Sequence, residues 1–250
     1  MRPLSVLALL RTGVLDPGLA ALAWLLVEGG APVIVIGSAG GPERSAMAGA
    51  LLSIDPARAF VVLDADVEPP TLARLSALLR GGAGVGITLA AADLREAMER
   101  LRGEASGLPD DAIRRLGIVF ALDGTSRGPR CSIVHYLRPT ERDGQGHVQR
   151  RPPAILAAWD EATASYEDYA WAVTPELADR VDRSQADFEE RLRDRAALLA
   201  ATSRATHISA VEWQQRVRNH LDAEPPREPA PRHPSAAPPH GHRSPGPQQP

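Results

Sequence analysis

The chain of 250 residues holds a single cysteine, Cys131. That excludes an internal disulfide framework and a cysteine-rich zinc site. Lysine is absent, so all 28 basic residues are arginines. No charge of either sign dominates. The formal net charge is −3, which gives no global pull toward nucleic acid or an anionic membrane. Nucleic acid is therefore not an expected partner. Long hydrophobic runs are missing too. The longest, Leu19 to Val27, is too short to cross a bilayer, so no membrane span is expected. Leu4 to Leu10 follows Arg2 but lacks the length and small-residue cleavage site of a signal peptide, and a cytoplasmic location is expected. What is present is 44% hydrophobic residues, enough to bury the core of one or two domains.

Hydrophobic patterning predicts alternating helices and strands. Asp16 can cap a helix with Pro17 at its first position and Leu19, Leu22, Ala23 and Leu26 at helical spacing, ended by Gly29-Gly30. Pro32 to Ile36 is a continuous β-branched run, the signature of a buried parallel strand. A glycine-rich turn, 37 to 45, leads into an alanine-rich helix ending near Leu52. Phe60 to Leu63 and Gly84 to Leu89 read as further strands, with helices near Thr71 to Leu79 and Asp93 to Leu101. This alternation argues an α/β fold with a mostly parallel sheet. After about residue 115 the character changes. Strands are expected at 117–122, 130–137, 151–158 and 165–169, then helices at 175–181, 185–201 and 210–221. From Ala223 onward proline, histidine and glutamine without apolar anchors predict a disordered tail. The expected division is thus 1–115, 116–222 and 223–250.

The turn after the first strand carries Gly37, Gly40 and Gly41. Strand, glycine-rich turn and helix in that order is the context of a phosphate-binding loop, G-x-x-x-x-G-K-[ST], in which backbone N–H groups and a helix N-terminus cradle phosphate. Here Pro42 takes the second pattern glycine, Glu43 the lysine and Arg44 the Ser/Thr. With one extra loop residue, Arg44 and Ser45 become the cationic and hydroxyl pair instead. The plain alternative is a glycine-rich strand-to-helix turn.

The segment order resembles the type II/IV secretion motor ATPases, in particular the archaeal-type and tight-adherence pilus motors. Arg11 to Glu28 followed by Ala31 to Gly37 resembles the lead-in to their phosphate loop. Arg58 to Glu68 resembles their acidic box, and Thr88 to Asp93 with Leu94 to Leu101 their histidine box and trailing helix. Ile155 to Thr163 and Asp187 to Arg195 resemble their C-terminal segment. The resemblance spans roughly residues 11 to 221. It implies a P-loop NTPase-like (RecA-like) core with a C-terminal β-hairpin and helical subdomain. ATP would be held by Gly37, Gly40, Gly41, Arg44 and Ser45, and Asp64 and Glu68 would remain of the catalytic acids. Partners would be secretion or pilus assembly proteins, or further copies of the chain.

The departures all run one way. The phosphate-loop lysine is missing, Ala90 stands in the histidine's place, and Ala65 replaces an acid, with Asp66 beside it. Losing one such electrostatic contact typically costs roughly 3 kcal/mol of transition-state stabilisation. The reading is a divergent motor-like ATPase with weak ATP binding, little hydrolysis and poor provision for Mg2+, which only Ser45 and Asp64 could hold. The alternative is a non-catalytic scaffold or regulator docked to an active motor.

Other residues carry plainer expectations. Asp64, Asp66 and Glu68 could equally be a solvated strand-end turn before Pro69-Pro70. His135 and His147 are expected to face solvent on a hairpin, and Arg127, Arg130, Arg138, Arg142, Arg150 and Arg151 to form a solvated basic surface around Gly144. His233, His240 and His242 in the tail carry no specific metal site. Trp24, Trp159, Trp171 and Trp213 are read as core anchors, and Cys131 as buried and inert.

Overall fold

The structure is a computed structural model that describes residues 5–226 except 57, 127, 143–146, 206 and 207. Helices α1 (Val6–Arg11) and α2 (Pro17–Glu28) precede strand β1 (Val33–Ile36). Then come α3 (Gly41–Leu52), β2 (Phe60–Asp64), α4 (Leu72–Arg80), β3 (Gly84–Leu89), α5 (Leu94–Arg102) and α6 (Asp110–Arg114). The remainder is largely antiparallel strand and helix: β4 (Ile118–Thr125), β5 (Gly128–Tyr136), β6 (Glu141–Arg142), β7 (Val148–Gln149), β8 (Ala154–Asp160) and β9 (Ser165–Asp168). A 3-10 turn at Ala170–Val173 leads to α7 (Thr174–Arg180), α8 (Gln185–Ser203) and α9 (Ala210–Ala223).

Seven strands form one mixed sheet in the order β2-β3-β1-β4-β5-β8-β9. The first four are parallel and β4 onward antiparallel. The sheet is therefore that of an α/β fold, mixed and mostly parallel, with four parallel strands extended past β4 by the antiparallel pairings of β5, β8 and β9. It runs unbroken across residue 115: Ile36 of β1 lies opposite Ala121 of β4.

The period-2 alternation of β1 assigns its side chains to two cores. Val33 and Val35 face α1, α2, α3, α7 and α8, whereas Ile34 and Ile36 face α4, α5 and α6. Burial on both faces explains the unbroken β-branched run. Helix α2 is buried along Leu19 to Val27, with Asp16 accepting from the Leu19 amide at 2.7 Å as its cap.

Several expectations need correction. A short helix, α1, forms where only an apolar stretch was evident, capped by Ser5. Trp24 and Trp213 meet edge-on in the core, but Trp171 is 73% exposed. Trp159 is half-buried, with the Arg130 guanidinium stacked 4.1 Å from its ring centroid. His135 is half-buried on β5, where desolvation pushes its pKa down, rather than solvent-facing. It lines a cavity of about 600 Å³ with Met98, Ile133 and Arg102. Of the expected basic surface, Arg138 and Arg151 both pair with Glu176, while Arg127 and Gly144 lie outside the described residues. Of the tail expected from Ala223, the first residues are structured, with α9 ending at Ala223 and Glu224 paired with Arg195, and residues 227–250, with the tail histidines, lie outside the described residues. No helix among the described residues is long and apolar enough to cross a membrane.

Cys131 is buried, and burial followed by the nearby Asp123 carboxylate pushes its thiol far up. The thiolate is the reacting species. The native protein should therefore leave Ellman's reagent unreacted, and the denatured chain should release one equivalent of chromophore per Cys131. Reaction of the native thiol at a free-cysteine rate would contradict this burial.

Candidate functional site

Open α/β sheets place ligands where neighbouring strands send their helices to opposite faces. Strand β1 leads into α3 on one face, and adjacent β3 leads into α5 on the other. The crevice between their C-terminal ends is bordered by the glycine-rich loop, the acidic turn after β2 and Ala90. Three of the five residues expected to hold phosphate, Gly37, Gly40 and Arg44, shape this crevice. Gly41 stands at its border, and Ser45 lies elsewhere.

The connection from β1 to α3 is only four residues, 37 to 40. Gly37 has φ 129°, and a Cβ there would sit 2.7 Å from the Leu122 carbonyl carbon. This close approach seats the loop on β4. The Ala39 amide donates to the Leu122 carbonyl at 3.1 Å. The Ser38 hydroxyl donates to Asp123 at 3.3 Å and accepts from the Gly124 amide at 3.2 Å. Gly40 is the N-cap of α3 and offers no side-chain cap. The Glu43 carboxylate folds back against the Gly40 α-carbon, where a Cβ would collide with it. A Cβ on Gly41 would meet Asp64 Oδ2 at 3.6 Å.

Arg44 turns inward and is 5% exposed. Its Nη1 donates to the carbonyls of Gly37, at 3.2 Å, and Ala39. Two loop carbonyls thus face the guanidinium, the opposite polarity from a nest of amides around an anion. Its Nη2 donates to Asp66 Oδ2 at 2.6 Å. Asp66 also accepts from the Ala90 amide at 2.8 Å and from Arg100 Nη2 at 2.8 Å. Arg100 completes the ring by donating to the Ala90 carbonyl.

The expected acids divide. Asp64 stays at the crevice, where its Oδ1 accepts from the Asp66 amide at 3.1 Å and its carbonyl from Val67 and Glu68. Glu68 points outward, 72% exposed on its side chain, and pairs with Arg74. That hydrogen bond and charge hold the Glu68 carboxyl below its usual range. Ser45 faces an apolar cavity of about 810 Å³ lined by Met47, Ala50, Phe60 and Val62. Asp64 lies instead beside Gly41 at the crevice, and no group of three or more His, Cys, Asp or Glu side chains that could hold a metal ion is found among the described residues. Sequence reasoning missed Arg100, which lies on the helix trailing Ala90. Its only signal was its place in the last turn of α5. The chain matches no protein-family model and no curated protein.

Proposed function

We propose that the chain is a non-catalytic scaffold or regulator built on a motor-ATPase-like α/β core, docking to secretion or pilus assembly proteins. One observation carries this reading: the Arg44 guanidinium, bound to the carbonyls of Gly37 and Ala39 and to Asp66, occupies the mouth of the glycine-rich loop. Phosphoryl transfer relies on cationic stabilisation of phosphate and an oriented water. Here the guanidinium is already bound to the loop carbonyls and to Asp66, and the Glu43 carboxylate stands at the N-terminus of α3, where a phosphate would bind. Glu68, the second expected acid, is committed to Arg74. The central place of the loop-bearing strand, between β3 and β4, supports the P-loop NTPase-like ancestry. The segment order described above supports the secretion-motor relation.

Isothermal titration with ATP and Mg2+ tests this reading. Up to about 1 mM nucleotide, where binding would be worth about 4 kcal/mol, no saturable heat is expected. Saturable heat that disappears in Arg44→Ala would overturn the reading in favour of a divergent ATPase that retains weak ATP binding.

A further inference from the structure

Three donors converge on one carboxylate at the crevice: Arg44 Nη2 at 2.6 Å, Arg100 Nη2 at 2.8 Å and the Ala90 amide at 2.8 Å from Asp66. Two guanidinium groups and a main-chain amide are the donor set that recognises an oxyanion. Arg44 is buried, and its Nε has no partner among the described residues. The cluster therefore has a donor to spare that Asp66 does not use. Asp66 sits on the short turn that follows β2 and is itself partly exposed. Its carboxylate behaves as a ligand supplied by the chain.

We propose that Arg44, Arg100 and the Ala90 amide form an oxyanion site whose resident occupant is the Asp66 carboxylate, and that inorganic phosphate takes that place when the carboxylate is withdrawn. The proposal rests on the non-catalytic reading of this same cluster and adds how the site is closed. The flanking charges set the size of the ligand. Asp64 lies beside Gly41 and Glu43 against Gly40, so carboxylates border the position on the loop side. A single anion in the place of the Asp66 carboxylate would be held by the two arginines, whereas the further phosphates of a nucleotide would meet the carboxylates of Asp64 and Glu43. An internal carboxylate competes with free anion at an effective concentration in the millimolar range or above, so the wild-type chain binds phosphate weakly.

The test is calorimetric titration of inorganic phosphate, at ionic strength matched with sodium chloride, into wild type, Asp66→Ala, Asp66→Asn and Asp66→Ala/Arg100→Ala. Removing the internal competitor should tighten phosphate binding by about tenfold or more in a folded Asp66 variant. The added Arg100→Ala change should abolish the gain, and ATP should show no comparable gain. A folded Asp66 variant with no gain overturns the proposal, as does a gain that Arg100→Ala leaves intact. If circular dichroism shows that neither Asp66 variant folds, Asp66 is a structural tie and the proposal is likewise overturned. Saturable ATP binding by wild type would sink the non-catalytic reading while leaving the phosphate comparison among variants to be judged separately.

Discussion

Arg195→Ala should lower the unfolding free energy by about 3–5 kcal/mol, the usual cost of stripping one partner from a buried ion-pair cluster. Arg195 lies on α8 with 0% exposure. Its Nη1 reaches Glu28 of α2 at 2.6 Å, and its Nη2 reaches Glu224, just beyond α9, at 2.7 Å. Its guanidinium also stacks 4.6 Å from the Trp24 ring centroid. Arg183 reinforces the cluster through Glu28 at 3.0 Å and Asp187 at 2.6 Å, but alone it cannot neutralise both glutamates. One residue thus ties α2, α8 and the end of α9 together. The exposed Arg95–Glu99 pair is the control, and Arg95→Ala should cost under about 1 kcal/mol. Urea unfolding measures both. A loss near the control value for Arg195→Ala would mean that water reaches the cluster.

The same cluster sets an acid limit. Burial alone would raise the Glu28 carboxyl, but Arg195 and Arg183 outweigh burial and hold it below its ordinary 4.5. His220, close to Glu224, is pushed below 6.5 mainly by burial, with Arg195 adding to the shift and Glu224 opposing it. Both groups bind protons less readily when folded than when unfolded. Their stabilisation is present above the unfolded values and is lost as pH falls, first below about 6.5 through His220 and then below about 4.5 through Glu28. Arg195→Ala should flatten the lower of these two losses.

Gly37→Ala should cost roughly 3 kcal/mol or more, at the large end for a single substitution. Two terms act together. Its φ of 129° is a conformation that side-chain-bearing residues rarely adopt, and a Cβ would press on the Leu122 carbonyl and come within 2.9 Å of the Leu122 nitrogen. Those atoms are backbone of a central strand and cannot rotate away. Relief requires parting β1 from β4 or lifting the loop, which would also break the bond from the Ala39 amide to Leu122. Gly82→Ala is the contrasting substitution. Its φ is 74°, but no atom lies within 4 Å of the added carbon, so only conformational strain of about 1 kcal/mol is expected. Equal losses at the two positions in thermal or urea unfolding would show that contact with Leu122 is not the cause.

Much of the scaffold is written in local patterns. Val33 to Ile36 announces a strand buried on both faces because each residue faces a core. Asp16-Pro17 and Gly29-Gly30 bracket α2 because capping and left-handed turns are local chemistry. The antiparallel extension of the sheet is less legible, since nothing local in β5, β8 and β9 says that they continue the sheet begun by β1. Glu224 sits amid proline, and its partner Arg195 is far away in sequence. At the crevice, the acidic residues and Arg44 are visible as residue types. What pattern alone cannot convey is direction. The loop carbonyls, rather than its amides, face Arg44, and Glu68 turns out toward Arg74. Nor does spacing reveal that Arg100 meets Asp66 across 34 positions.

The Arg44 guanidinium itself reports most directly on whether the loop mouth is filled. In nitrogen-15 NMR of the full chain, its Nη protons should be individually resolved and slow to exchange, and they should keep their shifts when millimolar ATP and Mg2+ are added. Averaged, rapidly exchanging Nη signals, or signals that move with nucleotide and saturate, would contradict a loop closed by Gly37, Ala39 and Asp66.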